Sequence, residues 1–219
     1  MKTALPVIVL SFAAAVIGGL LLRTADLGQA PWFATRAAGL VAFVTLSLSM
    51  LLGLTMSAKA APRVVSKLFV FEMHQFFSII SLVLVGAHAG ALLVDGFLRF
   101  SPIEVLVPFA ASYQRGWVGL GVVAGWLGLI TAISFRFRAR IGHRAWRKLH
   151  YTTFAAYLLA LVHGMTAGTD TTLAPVYFMY IASAGLVAAL LTFRIGQSRA
   201  RAARGATRSA ARLRRPLAR

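Results

Sequence analysis

The apolar positions of this chain gather into six long blocks separated by short polar segments: Leu5–Leu22, Ala37–Met56, Phe71–Val94, Trp117–Phe135, Lys148–Ala167 and Leu173–Phe193. Each has roughly the 18 or more residues that a helix needs to cross the hydrocarbon core of a bilayer. Lipid offers no partner to backbone N–H and C=O groups, so each block must satisfy them internally, as a helix. The pattern predicts an all-α polytopic membrane protein: a six-transmembrane-helix bundle over residues 1–195, then a tail at 196–219. No internal repeat is visible. The first block follows a lysine, as a secretory signal does. No small-x-small cleavage site follows promptly, which predicts an uncleaved first helix.

Composition supports a lipid-facing surface. Hydrophobic residues make up 59% of the 219 and mean hydropathy is +0.78, leaving too little polar surface for a water-soluble domain of this length. There are no cysteines. That excludes disulfides, iron–sulfur ligation, thiolate catalysis and covalent haem attachment through Cys-x-x-Cys-His.

A formal net charge of +18 would suggest nucleic acid on a soluble protein. Here its distribution follows the spans, and no nucleic-acid partner is expected. Lys2, then Lys59, Arg63 and Lys67, then Arg136 to Lys148, then the nine arginines from Arg194 to Arg219 all fall on one side. Only Arg23, Arg36, Arg99 and Arg115 fall on the other. The positive-inside rule puts both termini in the cytoplasm of a protein of the cell (inner or plasma) membrane. The Arg-, Ala- and Ser-rich tail predicts disorder or a surface helix, and serves as a stop-transfer signal and anchor to anionic lipid.

Four of the five histidines lie in or at the edge of two spans. Span three carries His74 and His88, fourteen apart, and span five carries His150 and His163, thirteen apart. An ionisable ring at membrane depth is costly without a partner, and haem iron accepts neutral imidazole on its axial faces. Fourteen helical residues rise about 21 Å and return to within about 40° of the starting face, so His74 and His88 share a face at two depths. Ser81, small and midway between them, allows a flat ring or a neighbouring helix to approach. Spans three and five run in the same direction. They therefore offer two depth-matched pairs, His74 with His150 and His88 with His163. The spacing of thirteen fits less well, because a straight helix would turn the second ring about 140° away. A distortion between His150 and His163 is expected, with a tight turn of three residues per turn near His150 as one route. His143 sits among arginines in the basic loop and is expected to be solvated.

These residues resemble the ferric-reductase-like transmembrane domain family, which includes the membrane part of NADPH oxidases and metal reductases. The resemblance spans about Trp32 to Phe193. It is strongest in Gly142-His-Arg-Ala-Trp-Arg-Lys-Leu-His150-Tyr and in His163-Gly-Met-Thr-Ala-Gly-Thr-Asp170, with Leu106-Val-Pro-Phe and Ser112-Tyr113 in the outer loop. The family shows the same spacings of fourteen and thirteen. The resemblance implies two b-type haems, the inner on His74 and His150 and the outer on His88 and His163. The Trp-x-x-Leu-His pattern from Trp146 to His150 is similar to that of the haem subunit of methionine sulfoxide reductase, of the same superfamily.

Family reductases carry a flavin and nicotinamide portion after helix six. Only about 26 residues follow Phe193 here, without a Gly-x-Gly-x-x-Gly fingerprint, so no flavin site is recognised. Electrons are then expected from a separate flavoprotein or a quinol, and an acceptor on the outer face. The chain reads as the haem b subunit of an oxidoreductase, with no catalytic acid, base or nucleophile of its own. The alternatives are a haem-bearing anchor for a separate soluble reductase and a haem-free, His-lined proton or metal transporter.

Haem propionates need basic partners. Arg147 and Lys148, next to His150, are the leading candidates, with Lys67 and Arg144 also on the inner side and Arg99 and Arg115 on the outer. Trp146 and Tyr151 flank the inner site. Phe76, Phe77, Phe154 and Tyr157 lie between the haem depths, where ordinary packing is the simpler role. The loop from Asp95 to Gly116 reads as an interfacial cap over the outer haem.

Overall fold

The computed structural model describes residues 4–22, 27–58, 60 and 65–213. Its elements are helices α1 (Ala4–Leu22), α2 (Ala30–Ala58), α3 (Lys67–Val94), α4 (Pro102–Leu106), α5 (Arg115–Ile141), α6 (His143–His150), α7 (Thr152–Ala167) and α8 (Ala174–Leu213), with a 3-10 turn at Thr169–Thr172. No strand occurs among the described residues. Among the described residues, four helices are long and apolar enough to cross a membrane: α2, α3, α5, and α8 from Ala174 to Arg204.

The apolar blocks locate the helices but not all of their ends. α2 begins seven residues before the Ala37 expected, and α5 runs through Arg136, Arg138 and Arg140 to Ile141. The fifth block is divided. Gly142, at φ 84°, ends α5 and turns the chain into the short basic helix α6. α6 ends at His150, and α7 begins at Thr152. Across the joint the ladder tightens: Tyr151 N–H is shared between the Arg147 and Lys148 carbonyls at 3.3 and 3.2 Å, and Phe154 N–H makes an i+3 bond to the Tyr151 carbonyl at 3.1 Å. The expected distortion is therefore a tightened turn at Tyr151.

Helix pair α2–α3 packs most extensively, followed by α1–α3 and α5–α7, with α8 against α2. Small residues set the α1–α3 contact. A Cβ on Gly90 would lie 2.5 Å from the Ala15 carbonyl oxygen, and one on Gly19 would lie 2.7 Å from that of Gly90. The main core joins α2, α7 and α8 through Phe43, Met50, Leu54, Tyr157, Leu161, Tyr180 and Val187. Its polar groups pair internally: the Tyr157 and Ser183 hydroxyls lie 2.7 Å apart, and Ser183 donates to Ser47 Oγ at 2.9 Å. Buried hydroxyls in an apolar setting need such partners.

Candidate functional site

α3 and α7 face each other across a gap that the four histidine rings enter. The His74 and His150 ring centroids are 6.3 Å apart with planes at 85°. Those of His88 and His163 are 6.2 Å apart at 81°. Both pairings expected from helix depth are thus present as facing rings.

Three of the rings are held in the same way. His88 Nδ1 lies 2.8 Å from the Thr35 carbonyl oxygen, His74 Nδ1 2.8 Å from that of Ser49, and His163 Nδ1 2.9 Å from that of Trp117. A carbonyl oxygen only accepts, so each Nδ1 carries the proton and donates, leaving Nε2 with a free lone pair. Four residues beyond each carbonyl stands a glycine: Gly39, Gly53 and Gly121. A helical side chain covers the turn N-terminal to its own Cα, so a glycine at i+4 uncovers the carbonyl at i. A Cβ at Gly39 would come 2.9 Å from His88 Nδ1, one at Gly121 2.7 Å from His163 Nδ1, and one at Gly53 3.3 Å from His74 Cε1. Thr35 with Gly39 and Ser49 with Gly53 repeat fourteen residues apart on α2, matching the fourteen between the rings they seat on α3. Sequence reasoning missed these seats, although the repeated spacing on the second block was there to be read.

His150 differs. Its Nδ1 is buried without a hydrogen-bond partner among the described residues, and the ring stacks on Trp146 at 4.9 Å and 21°. Phe135 backs Trp146 edge-on at 5.6 Å.

The donor set fits a metal between each pair. Ring centroids 6.2 to 6.3 Å apart match two metal–imidazole bonds of about 2.0 Å once the offset of each ring nitrogen from its centroid is included. An Nδ1–H given to a carbonyl is also how proteins fix the tautomer of a ligating histidine. Beside His88 and His163, an open cleft with about 740 Å³ of empty space is lined by apolar side chains such as Leu82, Val85, Val122 and Leu129.

The other candidates fall into separate roles. Ser81 sits where α2 approaches, donating to the Ala42 carbonyl at 3.2 Å. Tyr157 and Phe154 belong to the main core. Phe76 packs on Phe77 with half its surface exposed. Arg147 and Lys148 are exposed on α6, within one turn of His150. They join exposed Arg136, Arg138, Arg140 and Arg144 in one cationic end. Arg99 bonds the Gly96 carbonyl and Arg115 that of Phe109, so both brace the loop that caps the cleft. His143 is exposed at the start of α6.

That cap is α4 and its flanks. Glu104 accepts from the backbone N–H and hydroxyl of Ser101, both at 2.8 Å, and from those of Ser112 at 2.8 and 2.7 Å. These bonds favour the ionised form and bring its carboxyl down to about 2. Trp126 Nε1 reaches the Leu106 carbonyl at 2.8 Å, tying the cap to α5. Opposite, Arg36 pairs through both oxygens with Asp170 and lies over the Trp32 ring, joining α2 to the α7–α8 connection.

Comparison with curated proteins and with solved structures finds no match to either. A family model described as ferric reductase like transmembrane component matches residues 38–161, more than half of the chain, a stretch that contains His74, His88 and His150 and ends two residues before His163. Domains of this family generally bind haem, and membership implies transmembrane electron transfer at the level of the family. On that match, and in keeping with its facing histidines, the chain belongs to the family of ferric reductase like transmembrane components.

Proposed function

We propose that this protein passes single electrons across a cell membrane through two b-type haems, one held by His74 and His150 and the other by His88 and His163. The observation that carries the reading is the two facing pairs of imidazoles at two depths. When bound, haem iron supplies a one-electron couple that needs no proton transfer from the protein. The carbonyls of Thr35, Ser49 and Trp117 orient the rings and fix their tautomer. Apolar side chains of α3 and α5 line the cleft beside His88 and His163. Arg147 and Lys148 are positioned to neutralise propionates on the His150 side.

The charge bias puts both termini and the His74 end in the cytoplasm, with six crossings in all. Donors there are a separate flavoprotein or a quinol. The exposed cationic end of α5 and α6 favours an acidic flavoprotein by steering its approach. The acceptor meets the His88 end on the outer face, beneath the α4 cap. Purified protein from haem-replete cells should show two haems b per chain by reduced-minus-oxidised absorbance and haem quantification. His88→Ala should remove one and largely spare the other. A colourless protein overturns the proposal, and a variant that keeps both haems overturns the pairing.

A further inference from the structure

The four ring seats are not equivalent. His88 and His163 both give Nδ1–H to a helix carbonyl, at 2.8 and 2.9 Å. In the other pair only His74 does, to the Ser49 carbonyl at 2.8 Å. His150 has no acceptor among the described residues and rests face-on against Trp146.

The reason lies on α5. Fourteen residues past Trp117 and Gly121, where a second seat would stand, the helix carries Thr131 and Phe135. Phe135 fills the glycine position and supports Trp146 instead. α5 therefore supplies a carbonyl seat at one depth and an aromatic wall at the other.

This difference has a redox consequence. A hydrogen bond from Nδ1–H to a carbonyl makes the imidazole more electron-rich and a stronger base toward metal. A more electron-rich ligand stabilises ferric over ferrous iron, and hydrogen bonding around the ligands is among the protein's means of setting a haem potential.

Resting on the haem reading above, we infer that the two haems are poised unequally by construction: the His88/His163 haem has the lower potential, and the His74/His150 haem has the higher, with Trp146 the positioning residue for His150. Trp146 acts through the ring it stacks on, and its removal acts on one haem alone.

The test is a redox titration of the purified, haem-loaded protein, followed at the haem absorbance bands, with haem content and low-spin ferric spectra recorded alongside. Wild-type protein titrates as two components. Trp146→Leu moves or removes the higher-potential component and leaves the lower one in place, while Trp146→Phe, which keeps a stacking face, restores the wild-type curve and spectrum. Gly121→Ala drives His163 from its carbonyl and raises or removes the lower-potential component, leaving the higher one in place. A single potential overturns the inference. So does a Trp146→Leu effect on the lower component, or none on either. Should Trp146→Leu fail to fold, Gly121→Ala still decides: movement of the higher-potential component overturns the ranking. Protein without haem removes the reading beneath as well, whereas two haems in the reverse order remove the ranking alone.

Discussion

Glycine substitution separates a ligand seat from ordinary helix packing. In a helix interior Gly→Ala alone favours the helix by about 1 kcal/mol. At Gly39 the added Cβ would sit 2.9 Å from His88 Nδ1, so the ring must leave the Thr35 carbonyl. Loss of such an outer partner typically weakens metal binding by about 10- to 100-fold. Gly39→Ala is expected to lose the His88/His163 haem while the protein melts no earlier, read from the haem-to-protein ratio and thermal unfolding. Gly53→Ala, with 3.3 Å to His74 Cε1, should cost less. The facing of the histidine rings in two pairs was legible, because ionisable side chains in apolar blocks stand out and their spacing fixes face and depth. Their partners were not. A backbone carbonyl belongs to every residue alike, and Thr35, Ser49 and Trp117 have nothing in their side chains to mark them. Arg147 and Lys148 adjoin His150 in sequence and lie exposed within one turn of it on α6.

At the level of elements, hydropathy located the helices and was blind to bends. The thirteen-residue spacing is what announced a distortion, because a regular helix puts His150 and His163 on different faces. The tightened turn at Tyr151 is its form, and it needed coordinates because no proline or glycine marks that point. The outer loop was readable as a cap, but its fastening was not: Glu104 joins Ser101 three residues back to Ser112 eight residues on. Its carboxyl is depressed to about 2, so the stabilisation is complete above the ordinary value of 4.5 and is lost as pH falls toward 2. Hydrogen exchange over residues 101–112 should be flat from neutral pH to about 5, after correction for the intrinsic rate, and rise at lower pH. Glu104→Ala should show the raised exchange already at neutral pH. A pH-independent difference between variant and wild type down to the acid limit would contradict this role for the carboxylate.

For the whole molecule, the decisive question is whether α7 crosses the membrane. Its 16 residues span about 24 Å, short of the roughly 30 Å hydrocarbon core. A modest mismatch of this kind is met by local thinning of the bilayer or by flanking residues that reach the interface. The chain has no cysteine, so a single introduced thiol reports its own position without background. Phe97 is exposed in the loop after α3, and Ala200 is exposed on α8. Between them lie α5, α7 and α8. If all three cross, Phe97→Cys and Ala200→Cys emerge on opposite sides. If only the two long helices α5 and α8 cross, both emerge on the same side. With a membrane-impermeant maleimide on intact cells, Phe97→Cys should label at once and Ala200→Cys only after permeabilisation. Labelling of both, or of neither, would leave α7 outside the crossing set and end the depth-matched pairing of His150 and His163 with α3. The reverse pattern would keep the six crossings but invert them. The cationic end would then face outward, and an acidic cytoplasmic donor could no longer meet the His74/His150 haem.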